Sequence, residues 1–133
     1  MPVIHKWDND EKTIYTFIMR GEWDWTQYQT ALRDGYEAIK TVDHTVDIIY
    51  AYISKLPEGD AVQYMMMAGE TQPDNCYRSV MVNPGRDILQ MIVSAIDGMR
   101  EWDGPKFVDT LDEARQHLKA EALKDAQSSD EAI

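Results

Sequence analysis

The chain has 133 residues, 44% of them hydrophobic, and a formal net charge of -11. This length and composition exclude a disordered chain and allow one domain whose core needs neither disulfides nor metal. The negative charge repels phosphate backbones and anionic headgroups, so neither nucleic acid nor a membrane surface is expected as a partner.

The N-terminal segment Val3-Ile4-His5-Lys6-Trp7 reads as a short strand, followed by a turn at Asp8-Asn9-Asp10. The next seven residues, Thr13 to Met19, are rich in β-branched and aromatic types and predict a second strand, paired with the first as a hairpin. Thr26-x-x-Gln29 fits a capping box and predicts a helix starting at Thr26. Tyr28, Ala31, Leu32, Gly35, Ile39 and Val42 recur at helical spacing and form its inward stripe. The segment 46–53 is almost continuously apolar, as a central parallel strand covered on both faces should be.

A loop over 54–59 leads to Asp60, which predicts the cap of a short helix running through Met67 and closed by Gly69. Arg78 to Val82 reads as a strand, and Asn83-Pro84-Gly85-Arg86 connects it to a helix over 87–102. Ile88, Met91, Ile92, Ala95, Met99 and Trp102 form the apolar stripe of that helix. Lys106-Phe107-Val108 predicts a short edge strand, and Thr110-x-x-Glu113 a second capping box. The helix it opens turns Leu111, Ala114 and Leu118 inward. The order ββαβαβαβα specifies an α/β fold: a mixed, mostly parallel sheet with an N-terminal β-hairpin and helices packed on it. Residues 1–125 form one domain, and the polar stretch 126–133 is expected to fray.

Cys76 is the single cysteine, so no disulfide framework or zinc cluster can be read, and a reducing, cytoplasmic location is expected. The first ten residues lack the apolar run of a signal peptide. No apolar stretch is long enough to cross a bilayer.

This order, with Gly21-Glu22-Trp23-Asp24-Trp25-Thr26 before the first helix and Phe107-Val108-Asp109-Thr110-Leu111-Asp112-Glu113-Ala114 near the end, resembles the STAS family of anti-sigma-factor antagonist-like (SpoIIAA-like) domains. The resemblance spans most of the chain and rests on topology and local patterns. It implies a non-enzymatic switch or docking module. In the signalling members a serine at the start of the second helix, in an Asp-Ser-Ser-Gly-like stretch, is phosphorylated. Here that stretch corresponds to Leu56-Pro57-Glu58-Gly59-Asp60. Glu58 falls about where the serine would stand, so the phospho-switch does not carry over.

In open α/β sheets, ligands bind outside the carboxyl ends of the parallel strands. The predicted topology brings the loops 21–25, 54–60 and 83–87 to that edge. Trp23 and Trp25 read there either as an aromatic anchor for a protein or as side chains that fasten the helix start; the second reading is preferred. Arg86 and neighbouring backbone N–H groups can hold a phosphate or carboxylate, but a plain strand-to-helix turn explains the segment better. The run Met65-Met66-Met67 is either core filler or an adaptable docking surface, and not all three can face one core.

His5, His44 and His117 fall on separate elements without carboxylate partners at ligand spacing, so no metal site or triad is read. Cys76 has no neighbour that would activate it. Asp8, Asp10 and Glu11 do not begin a calcium loop, since Thr13 and Met19 stand where Gly and Glu are required.

The expected function is a non-enzymatic STAS-like interaction or regulatory module that binds a protein partner or itself, with a homodimer preferred. Its candidate partner-binding residues are Trp23, Trp25, Glu58, Met66 and Arg86. No catalytic residue, cofactor or metal is expected. The alternative is a carrier that holds a small apolar ligand between helices and sheet, lined by Tyr50, Tyr52, Tyr64 and the Met run.

Overall fold

The computed structural model describes residues 3–84, Ile88 and residues 106–131. Five strands form one sheet in the order β1-β2-β3-β4-β5: β1 (Val3–Trp7), β2 (Ile14–Met19), β3 (Val46–Tyr52), β4 (Cys76–Val82) and β5 (Lys106–Val108). The first pair is antiparallel and the other three are parallel. Among the described residues three helices accompany them with defined bounds: α1 (Trp25–Ile39), α2 (Ala61–Glu70) and α3 (Leu111–Glu131). The α/β class, the hairpin and the mostly parallel sheet are those expected from the sequence.

The hairpin connection turns on Asn9, whose Oδ1 accepts from the backbone N–H of Thr13 at 3.0 Å and of Ile14 at 3.3 Å. Period-two alternation divides each strand between two cores. Tyr15, Phe17 and Met19 of β2 and Ile48, Tyr50 and Tyr52 of β3 share a cluster with α1 and α2. Ile49 and Ala51 of β3, Val80 and Val82 of β4, and Val108 cluster with Ala114 and Leu118 of α3. Strand order never reverses from β2 onward, so crossovers of one hand place α1 and α2 on one face. Among the described helices, α3 packs on the other face.

Several boundaries shift for local reasons. The N-cap of α1 is Asp24 rather than Thr26. Gln27 N–H donates to Asp24 Oδ1 at 2.7 Å, and Asp24 N–H donates to Gln27 Oε1 at 3.1 Å. Aspartate caps as well as threonine, and this earlier box puts Trp25 in the first turn, where it is buried. The helix ends at Ile39, so Val42 packs against the core from beyond its C-terminus. Gly69 does not close α2: it lies inside the helix, and Thr71 caps it, with Oγ1 donating to Met67 O at 2.8 Å. β4 begins two residues earlier than expected, because Asn75 Nδ2 donates to the carbonyls of Ile39, Val42 and His44 and fixes the approach to the strand. Thr110 Oγ1 accepts from Glu113 N–H at 3.1 Å, one half of the expected second capping box, while Glu113 Oε2 accepts from Asp109 N–H at 3.4 Å rather than from Thr110; α3 continues past Asp125 to Glu131. The helix predicted over 87–102 lies outside the described residues except for Ile88, which is helical and buried.

Candidate functional site

β2, β3 and β4 run parallel, so their carboxyl ends meet at one edge as the topology argument requires. Two of the three predicted loops touch there: Ser54 Oγ donates to Gly21 O at 2.8 Å, and Ile53 N–H donates to Met19 O at 2.9 Å. Arg86 and most of the third loop lie outside the described residues. At its start, Asn83 is buried and its Oδ1 accepts from Ile88 N–H at 2.9 Å, which makes it a strand-to-helix connector.

Trp23 and Trp25 are not surface anchors at this edge. They are 7% and 5% exposed. Their rings meet edge to face at 5.0 Å, and Trp25 stacks on Tyr64 of α2 at 4.7 Å with an 8° interplanar angle. The pair thereby fastens the start of α1 to α2. Their indole N–H groups are buried with no acceptor among the described residues, so ring packing holds them rather than polar contacts. Gly59, at φ +126°, lies against the pyrrole edge of Trp25, and a Cβ there would come within 3.2 Å of Cδ1 and Nε1. Only glycine adopts that backbone without strain while letting the 54–60 loop close over the indole. Glu58, one residue earlier, points into solvent.

The chain matches no family model, no curated protein sequence and no solved structure.

Of the three tyrosines that a carrier would array around a ligand, Tyr50 and Tyr52 instead bond tyrosines of α1, and Tyr64 borders the groove between α1 and α2. Tyr28 and Tyr52 share a hydroxyl contact of 2.9 Å, and Tyr36 and Tyr50 one of 2.6 Å. Gln72 Nε2 donates to Tyr50 Oη at 2.7 Å, and Tyr36 Oη donates to Ala68 O at 2.7 Å. The two ends fix the direction of the chain: Gln72 to Tyr50, Tyr50 to Tyr36, Tyr36 to the end of α2. Burial pushes all four phenols up, Tyr28 to about 12, so each stays a neutral hydrogen-bonding group at physiological pH.

The Met run divides by helical phase. Met65 is 6% exposed and packs in the core, whereas Met66 and Met67 are 51% and 41% exposed on the outer side of α2. Met67 borders two shallow grooves. One, of about 320 Å³, runs between α1 and α2 past Leu32, Tyr36 and Tyr64. The other, of about 390 Å³, follows α2 itself, lined by Asp60, Val62, Gln63, Met66, Met67 and Glu70. Of the candidate residues, the structure thus leaves Glu58 and Met66 accessible and withdraws the two tryptophans into the core.

Burial pushes the Cys76 thiol up to about 11, which makes it a poor nucleophile. His5 Nδ1 contacts Tyr15 Oη at 2.6 Å, and His44 Nε2 contacts Lys12 O at 2.7 Å, so these rings serve separate local bonds. Among the described residues, no group of three or more His, Cys, Asp or Glu could hold a metal ion. No described helix is long and apolar enough to cross a membrane.

A polar cleft at the opposite edge was not foreseen. It lies beneath α3 and is bordered by two ion-pair systems. Arg115 forks onto Asp8, with Nε and Nη2 each 2.9 Å from a carboxylate oxygen. Arg78 joins Asp47 of β3 to Asp125 and the Glu121 carbonyl of α3. Helical spacing could not reveal these pairs, since they join residues 107 and 47 positions apart.

The two carboxylates respond oppositely to pH. The Arg115 guanidinium holds Asp8 below its usual range, whereas burial holds Asp47 above it despite Arg78. Asp8 therefore contributes stability above its unfolded value near 3.8 and loses it as pH falls through the lower folded value. Asp47 acts in the reverse sense: its contribution is present at low pH and is lost as pH rises through its raised folded value. Because Arg115 is partly exposed, Asp8→Asn is expected to cost only about 1 kcal/mol at pH 6. In denaturant titrations, that gap should close as pH falls below about 4. A gap that widens toward acid would refute the assignment.

Proposed function

We propose that this protein is a non-enzymatic interaction module of STAS-like layout that docks a protein partner on the outer side of α2. The observation that carries the proposal is the exposure of Met66 and Met67 beside two grooves while Met65 fills the core. Unbranched thioether side chains repack against varied shapes, and exposed ones suit an adaptable contact surface. Exposed Glu58 lies in the loop before α2, and the STAS resemblance aligns it with about the position where the signalling members carry their phosphorylated serine. On this reading the face is permanently charged rather than switched. The docking reading is preferred to the carrier alternative, because Tyr50 and Tyr52, two of the carrier's lining residues, fill the core and are bonded to other tyrosines.

A photo-crosslinking residue introduced at position 66 tests the reading in living cells. A discrete covalent protein adduct is expected from position 66 and none from position 6, an exposed site on β1. No adduct at 66, or the same adducts from both positions, would overturn the docking role.

A further inference from the structure

Within that docking role, on which this inference rests, the chemistry of the α2 face points to the kind of partner. The groove along α2 has an apolar centre and an acidic rim. Val62, Met66 and Met67 supply the centre; Asp60 stands at one end of the helix and Glu70 at the other. Among the described residues that line it none is basic, and α2 itself contains no Lys, Arg or His. Glu58, two residues ahead of the Asp60 cap, is a further exposed carboxylate in the loop that leads into α2. The neighbouring groove between α1 and α2 does contain cations, Arg33 and Lys40, but each pairs with a carboxylate of its own helix. Arg33 meets Asp34 at 3.3 Å and Lys40 meets Glu37 at 3.0 Å. That side is locally balanced, whereas the described charged residues along the outer side of α2, Asp60 and Glu70, are both negative.

We infer that the α2 face binds a basic amphipathic helix, whose apolar stripe seats on Met66 and Met67 and whose Lys or Arg residues face Asp60 and Glu70. Charge complementarity selects this occupant. A second copy of this chain would bring another net charge of -11 and, if packed symmetrically, would set α2 carboxylates against α2 carboxylates. An acidic or phosphorylated peptide would meet the same repulsion. A cationic helix has its approach steered by the negative rim and gains its hold from apolar contact with the two thioethers. Both features are required: charge alone attracts any polycation, and methionine alone accepts any apolar surface.

Fluorescence anisotropy with three labelled peptides separates these terms. The peptides are a Leu/Lys amphipathic helix, its Leu/Glu counterpart, and a scrambled Leu/Lys sequence without an apolar stripe. At physiological salt only the first is expected to bind. The Met66→Gln/Met67→Gln double variant should weaken it roughly tenfold. Glu70→Gln should weaken it roughly threefold, with a shallower salt dependence. All these positions are solvent-exposed, and unchanged thermal unfolding would establish that the variants remain folded.

Equal binding of the scrambled peptide would reduce the effect to bulk charge and overturn the inference. So would wild-type affinity in the double variant, or stronger binding of the Leu/Glu peptide. A crosslink from position 66 to a second copy would replace the basic partner with a homodimer. A crosslink to another protein, combined with no binding of the Leu/Lys helix, would keep the docking role and discard this partner class. Failure of the crosslink itself would remove both.

Discussion

Replacing Gly35 by alanine is expected to destabilise the protein by roughly 1–3 kcal/mol, although alanine is the better helix former. Gly35 lies on the buried face of α1, where the helix backbone rides directly over β2. A Cβ at this position would sit 2.5 Å from Phe17 Cε1 and Cζ and 2.8 Å from Tyr15 Cε1. Neither ring has room to retreat. Phe17 is stacked on Tyr50 at 5.5 Å and met edge-on by Tyr36 at 5.8 Å, and the Tyr15 hydroxyl is held by His5. Helix propensity favours alanine by about 1 kcal/mol, but lifting α1 from the sheet loosens every contact along its stripe.

Urea unfolding should therefore show a lower midpoint for Gly35→Ala, and a still lower one for Gly35→Val. Phe17→Leu, which shortens the obstructing side chain, should cost less in the Gly35→Ala background than in wild type, giving a favourable coupling in the double-mutant cycle. A higher midpoint for Gly35→Ala alone would show that the helix does not approach β2 so closely.

Tyr36→Phe is expected to cost about 2–4 kcal/mol, because one hydroxyl serves two buried groups. It accepts from Tyr50 and donates to Ala68 O, near the C-terminus of α2. Its removal leaves the Tyr50 proton without its acceptor and an α2 carbonyl without its buried donor. Tyr50→Phe should cost only about 1 kcal/mol. In that variant Tyr36 still donates to Ala68 O, and Gln72 Nε2 keeps its contact with Ser79 Oγ at 3.1 Å. This inequality follows from the direction of the chain. Equal losses, or a greater loss for Tyr50→Phe, would show that the hydroxyls are oriented otherwise. Denaturant midpoints of the two variants decide the matter, and amide exchange should show the larger loss of protection in the last turn of α2 for Tyr36→Phe.

Because α1 and α2 share this core, both substitutions also bear on the docking surface. Trp25 on Tyr64 and Tyr36 on Ala68 are the fixtures that hold α2 against α1. They determine which side of α2 remains available. Met66 and Met67 face outward because Met65 and Ala68, one residue to either side of them, are committed to the core.

The strands and inward stripes were legible in the sequence because their signals are local. The β-branched and aromatic residues over 14–19 and the near-continuous apolar run over 46–52 mark strands buried in the sheet. The stripe Tyr28, Ala31, Leu32, Gly35, Ile39 is buried as its spacing requires, and so are Ala114 and Leu118. Capping was only partly legible. Asp24 and Thr26 both begin an acceptable box, and the choice between them depends on Trp25 finding Tyr64 on another helix.

The tertiary structure alone decided what the special residues do. Sequence places Tyr50 and Tyr52 on one face of β3, but nothing local shows that Tyr36 and Tyr28 stand over them and convert a possible ligand pocket into a bonded core. The pairs Arg115–Asp8 and Arg78–Asp125 depend on where α3 crosses the sheet. The three consecutive methionines look equivalent as a string; the phase of α2, set by its contacts with α1, buries the first and leaves the next two at the surface. Local periodicity determines which residues turn inward, whereas the partner each one meets depends on long-range packing that no short window of sequence contains.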